Sequence, residues 1–213
     1  MTQDGSIASQ TVDAFLKELA SDAATPGGGP VAALEGAMGS ALISMVCNLT
    51  LDKEGYEEAQ ERVRGILVEA EQARAAFLEL ADRDAHAFDG VMEAFKMPKE
   101  TDAEKAARSQ AIQRGYEEAA RPPLEIAKLA ATQMEFAHEI TEIGNAQAAS
   151  DGACAAQALA ASVSSATFNV EINAAALKDP AKAQAFRDEV SMLRANAAAL
   201  LDAANATFAA RLG

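Results

Sequence analysis

The chain has 213 residues, half of them hydrophobic, and carries 32 acidic against 18 basic side chains for a formal charge of −14. That balance excludes nucleic acid as a partner, because a phosphate backbone needs a basic footprint. The length suits one domain with a core of its own, unaided by disulfides or metals.

Alanine supplies 53 residues, aromatics only 5%, and tryptophan is absent. Small side chains favour helices packed at close range. A sheet is disfavoured, because runs of β-branched and aromatic residues are missing. The two cysteines, Cys47 and Cys154, lie in apolar helical stretches without metal-ligand spacing, and buried reduced thiols are expected. No basic segment followed by an apolar one opens the chain, so a cytoplasmic location is expected. The most apolar run, Gly36 to Leu51, is short for a bilayer and reads as a central buried helix.

In chain order, Thr11 or Ser9 caps a first helix with Val12, Phe15, Leu16 and Leu19 on one stripe. Next comes Thr25-Pro26-Gly27-Gly28-Gly29-Pro30. Three glycines offer close backbone approach, unusual dihedrals and bare amides at a helix start, suited to an anion or a carbonyl oxygen. A plain tight turn is the alternative. The apolar helix then runs from Val31 to about Thr50. A third helix starts near Glu54 and reads through to Phe95, about 60 Å if unbroken. Pro98 ends it, and a further helix opens at Asp102 and must stop before Pro122-Pro123. The remaining helices are one ending at Gly144-Asn145, one from Asp151 to Ala176, and one that Asp179-Pro180 starts. The expected fold is all-α, a single-domain bundle of six to seven helices over residues 1–213. Its small-residue faces need a partner, so a homodimer is expected.

Polar residues at apolar positions mark candidate chemistry. Asp84 interrupts the inward stripe of the third helix. Burial would raise its pKa toward a useful acid–base range, unless it merely pairs with Arg114 or Lys128. Asp82, off that face, is expected in solvent. Asp151 is either a helix cap or a functional carboxylate. Asn169 and Asn173, four apart, share a helix face and form either a packing network or a recognition edge. Lys53 and Tyr56 place a cation and a hydroxyl at the end of the apolar helix, whereas Lys96 and Lys99 flank Pro98, where a basic patch would hold an anion. His86 and His138 lack metal spacing, and no phosphate-binding or nucleophile-elbow motif occurs.

Taken together, these pieces resemble one family. The chain is similar to the cyclodeaminase/cyclohydrolase family, which includes the C-terminal domain of formiminotransferase-cyclodeaminase and stand-alone methenyltetrahydrofolate cyclohydrolases. The resemblance covers nearly the whole length. It rests on Pro26-Gly27-Gly28-Gly29 with Val31-Ala32-Ala33, Asn48-Leu49-Thr50 with Lys53 and Tyr56, Asp84-Ala85 with Ala87-Phe88, Val91-Met92 and Pro98-Lys99. It continues through Ala111-Ile112-Gln113, Pro123-Leu124, Gly144-Asn145, Asp151 and Phe168-Asn169-Val170 with Asn173. Pro30 stands where a serine is common, and Asp52 where a glycine often precedes the lysine.

The resemblance implies an all-helical dimer acting on a tetrahydrofolate one-carbon adduct, with no tightly bound cofactor and no metal. It implies hydrolysis of 5,10-methenyltetrahydrofolate to 10-formyltetrahydrofolate. The alternative is deaminating closure of 5-formiminotetrahydrofolate to the methenyl form. The absence of room for a formiminotransferase domain favours hydrolysis. The implied catalytic residues are Asp84, Asp151 and Lys53, with one aspartate as base and the other as acid. Gly27, Gly28, Gly29, Tyr56, Lys96, Lys99, Gln113, Asn145, Asn169 and Asn173 are the implied substrate contacts. The enzyme reading expects Asp84, Asn145, Asp151 and the glycines in one cleft. A non-enzymatic scaffold would scatter them, and a folate-binding protein would gather them without turnover.

Overall fold

The computed structural model describes residues 6–212 and is all-helical over them. Eight α-helices follow in order: α1 (Val12–Leu19), α2 (Gly28–Thr50), α3 (Gln60–Ala87), α4 (Asp89–Lys96), α5 (Asp102–Ala119), α6 (Arg121–Ile143), α7 (Ala149–Ala175) and α8 (Pro180–Arg211). Six of these are long, matching the expected bundle. Local chemistry sets the ends. Thr11 caps α1 through the Ala14 amide. Thr101 and Glu104 form a reciprocal capping box on α5, and Asp179 caps α8 ahead of Pro180.

The centre is α2 packed on α3, α6 and α7, with α8 laid across α6 and α7. Close crossings depend on small residues. A side chain at Gly36 would stand 2.5 Å from the Phe77 ring, and one at Gly39 would stand 2.6 Å from Leu159 Cγ. Phe77 and Leu159 are fully buried in the main core with Ile43, Ile66, Ile126 and Met134. Burying each of these large side chains contributes about 1.5–3 kcal/mol.

Four expectations are corrected. The third helix does not run to Phe95: α3 ends at Ala87, and α4 begins after Phe88 and packs on α5. On α1 only Phe15 is buried, while Val12 and Leu16 are largely exposed. Cys154 is exposed, and only Cys47 is buried, its thiol pushed up to about 12 by desolvation. Asp82 is not simply solvated: it accepts from the Ser6 hydroxyl and the Ile7 amide and pins the N-terminal turn to α3. The apolar helix also spans 23 residues, Gly28–Thr50, enough by length and composition to cross a membrane. One face of it is core, but Met38, Met45 and Leu49 are exposed.

Candidate functional site

The glycine run forms the start of α2. Gly27 is the N-cap in extended conformation, and Gly28 and Gly29 are the first two helical residues. None of the three has a positive φ, so the expected unusual dihedrals are not what the glycines supply. They supply proximity. A Cβ on Gly29 would fall 1.8 Å from Asp84 Oδ2, and one on Gly28 would fall 3.1 Å from Asn169 Nδ2. No side chain caps this end, so its first amides are free to meet a ligand.

Asp84 comes from α3, where Phe77 and Ala81 on the same stripe are buried. Its carboxylate has no hydrogen bond or ion pair among the described residues. Arg114 does not reach it, and Lys128 pairs with Glu189 instead. Desolvation alone pushes Asp84 up to about 6. A carboxyl group in that range exchanges protons readily at neutral pH.

Asn169 and Asn173 of α7 complete this end. Asn169 Nδ2 donates to the Ser165 carbonyl at 2.9 Å. Asn173 Nδ2 donates to the carbonyls of Asn169 (2.9 Å) and Ala119 (3.1 Å). Both amides therefore use their N–H side structurally and leave the Oδ1 atoms available. Beside them lies a groove of about 560 Å³, lined by Pro26, Gly27, Gly28, Val31, Phe168 and Asn169 among others. Arg194 stacks on the Phe168 ring at 4.9 Å and forms a two-pronged pair with Glu171.

The remaining candidates lie elsewhere. Asn145 N–H donates to Thr50 Oγ1 at 2.8 Å, and Asn145 Nδ2 donates to the Leu49 carbonyl at 3.1 Å. Tyr56 Oη accepts from the Ala146 amide. This cluster, with Lys53 and Asp151, sits at the C-terminal end of α2, about 30 Å from Gly28 along a helix rising 1.5 Å per residue. Within one chain, Asp151 therefore does not share a cleft with the glycines and Asp84. Asp151 is not an N-cap either: it is the third residue of α7, and Ala148 occupies the cap. Gln113 holds the α7–α8 connection, donating to the Ala176 carbonyl and accepting from the Lys178 amide. Lys96 is exposed and paired with Glu93, and Lys99 is exposed. Of the histidines, His86 is exposed beside Asp89, and His138 bonds Thr207 Oγ1.

One residue escaped the sequence reading. Glu35, the sole charge on α2, is half-buried two turns in from Gly28. Burial raises its pKa, with Ser165 nearby opposing the shift, and its Oε2 is buried without a partner. The signal was present as a lone carboxylate beginning an uncharged run. Among the described residues no cluster of His, Cys, Asp and Glu has metal-binding placement.

Known proteins show the same architecture. A family model described as formiminotransferase-cyclodeaminase matches residues 11–192. A methenyltetrahydrofolate cyclohydrolase of Methylorubrum extorquens is 41% identical over 90% of this chain and 92% of that protein. The formimidoyltransferase-cyclodeaminase of Sus scrofa is 36% identical over 88% of this chain but only 36% of its own length, so the chain spans about a third of that relative. The solved formiminotetrahydrofolate cyclodeaminase of Thermotoga maritima matches with a TM-score of 0.87 at 26% identity, over 97% of this chain and 100% of that one. The class is the helical enzyme fold shared by folate cyclodeaminases and cyclohydrolases. The chain belongs to the formiminotransferase-cyclodeaminase family.

Proposed function

We propose that this chain catalyses ring chemistry at the one-carbon unit bridging N5 and N10 of tetrahydrofolate, with Asp84 as the proton carrier. The observation that carries this reading is Asp84 itself: unpaired, half-buried, raised to about 6 and seated against the first turn of α2. One such carboxyl group can take a proton and return it within a turnover.

The wider support falls on deaminating closure, through the family model and the Thermotoga maritima structure. In that direction N10 attacks the carbon of the protonated formimino group, leaving an amino group on it, and Asp84 takes the N10 proton. As the bond to the amino group breaks, Asp84 returns the proton to the departing nitrogen, which leaves as ammonia. The hydrolytic opening implied by the resemblance is favoured by one specific observation, the 41% identity to a cyclohydrolase over nearly its full length. There, Asp84 takes a proton from the water that adds to the methenyl carbon. It gives the proton to N5 as the carbinolamine opens, and the hydroxyl proton is released as the formyl carbonyl forms. The Gly28 and Gly29 amides and the Oδ1 atoms of Asn169 and Asn173 orient the ligand in either direction.

Two assays on one preparation test this. The first follows loss of 5,10-methenyltetrahydrofolate absorbance, and the second follows ammonia released from 5-formiminotetrahydrofolate. Acceleration of either, lost in Asp84→Asn, assigns the reaction. Acceleration of neither rejects the enzyme reading.

A further inference from the structure

The groove beside the glycine turn leads to a carboxyl group. On α2 its wall is Gly28 and Val31, one helical turn apart, and on α7 it is Ser165, Phe168 and Asn169. Glu35 stands seven residues beyond Gly28, which returns it to the same face of α2. Ser165 lies against the Glu35 side chain and also lines the groove, so the glutamate stands at the end away from the glycines. Among the described residues, none that lines the groove is charged. Glu35 Oε2 is buried without a hydrogen-bond partner among them, a costly state for a carboxylate. Burial raises its pKa, and two donors held against the ionised group oppose that shift.

That geometry defines the missing partner. A carboxylate accepts best from two parallel N–H donors, one for each oxygen. The ligand of the proposed function carries such a pair, the N3–H and 2-amino groups at the end of the pterin away from N5. From Gly29, the position that Asp84 abuts, to Glu35 the helix rises about 9 Å. A two-ring pterin with a hydrogen bond at each end spans that distance. Phe168 is exposed in the groove and offers an apolar face to the pyrimidine ring.

We infer that Glu35 is a specificity-determining residue of this site: its carboxylate accepts from N3–H and the 2-amino group of the pterin and sets the one-carbon unit beside Asp84. The assignment deepens the proposed function and rests on that reading for its substrate. It divides the work between two acids, Glu35 holding the ring and Asp84 moving the proton. A ligand without the 2-amino donor loses one of the two bonds at Glu35.

A cycle between residue and ligand tests this. The ligands are 5-formyltetrahydrofolate and its 2-desamino-2-methyl analogue, and calorimetry measures the binding of each to wild type, Glu35→Ala and Glu35→Gln. Wild type should bind the analogue ~10–100-fold more weakly, the range for one hydrogen bond to a charged group. Glu35→Ala should bind 5-formyltetrahydrofolate more weakly by at least the same factor and no longer distinguish the two ligands. Glu35→Gln keeps the size of the side chain but presents one acceptor oxygen, and should bind 5-formyltetrahydrofolate at least ~10-fold more weakly. Wild type that binds the two ligands equally, wild type that binds neither, or a Glu35→Gln variant as tight as wild type overturns the assignment. The activity assays then separate the two levels. Wild type that accelerates either folate reaction keeps the proposed function without this anchor, whereas wild type that accelerates neither rejects both.

Discussion

The Asp84 carboxylate occupies the space that a side chain at residue 29 would need: a Cβ there would lie 1.8 Å from Oδ2 and 2.2 Å from Cγ. Glycine at position 29 and aspartate at position 84 are thus one structural unit. The helix start must be bare for the carboxylate to approach its backbone.

Gly29→Ala should therefore displace Asp84 while improving helix propensity. A shift of about 1 Å at a reacting group costs on the order of 100-fold in rate, and a loss of that size is expected with the fold intact. Gly28→Ala is the internal control. Its Cβ would sit 3.1 Å from Asn169 Nδ2, which a shift of a few tenths of an ångström relieves, and a loss below about 10-fold is expected. Steady-state kinetics with circular dichroism on both variants check the order. Equal effects would mean the Asp84 approach has no special part.

The same burial makes Asp84 costly to the fold. Its pKa is 3.8 when unperturbed and about 6 in the folded chain. Below pH ~3.8 both states hold the proton and the cost is absent. As pH rises toward 6, the unfolded chain ionises first and stability falls, remaining lower above pH 6. The gap is worth at most ~3 kcal/mol, and solvent access to this half-buried group lowers it to ~1–2 kcal/mol. Asp84→Asn should accordingly be more stable than wild type at pH 7.5, by about 2–6 °C in Tm, and inactive. The stability difference should vanish near pH 4. Thermal melts at the two pH values check this, and a less stable variant at pH 7.5 would contradict the assigned burial.

At the far end of α2, Asn145 is the joint. Its side chain donates to the Leu49 carbonyl and accepts from the Gln147 amide, and it is 6% exposed. Asn145→Ala leaves the partly buried Leu49 carbonyl and the Gln147 amide without their partner and should cost ~1–3 kcal/mol. Tyr56→Phe removes only the acceptor for the Ala146 amide, on an exposed turn, where water can replace it. A cost below about 1 kcal/mol is expected there. Denaturant midpoints of the two variants separate a structural joint from a dispensable contact.

The bundle was legible because periodicity survives in the sequence: Phe77 in α3, Met134 in α6 and Val190 in α8 each recur with other apolar residues at helical spacing and are buried. The break at Phe88 was not, because Phe88, Val91 and Phe95 continue the stripe while the chain turns to pack α4 on α5. Periodicity identifies an apolar face but not whether anything covers it, hence the exposed Val12 and Leu16. Asp84 was legible as a carboxylate in an apolar register. Its separation from Asp151 was not, since linear order does not reveal which end of α2 each neighbouring helix meets. Glu35 passed as the edge of an apolar run, although its position inside α2 makes it a half-buried acid.

Asp52 provides a last prediction, from backbone rather than site chemistry. It is the one non-glycine among the described residues with positive φ, at 55°, in the left-handed region that favours glycine. That geometry gives a physical reason for a glycine at this position in similar chains. Its amide donates to Gln60 Oε1 at 2.9 Å, a bond that survives any substitution except proline. The side chain adds only a pair with Arg64 at 3.1 Å, with the aspartate 85% exposed, worth little in water. Asp52→Gly should thus gain stability by ~0.5–1 kcal/mol, relief of the strained dihedral outweighing the greater freedom of the unfolded chain. Asp52→Ala keeps the strain, loses the ion pair and should be less stable than wild type by a similar amount. Opposite signs from two side-chain truncations at one position would locate the effect in the backbone. Equal losses would place it in the Arg64 pair.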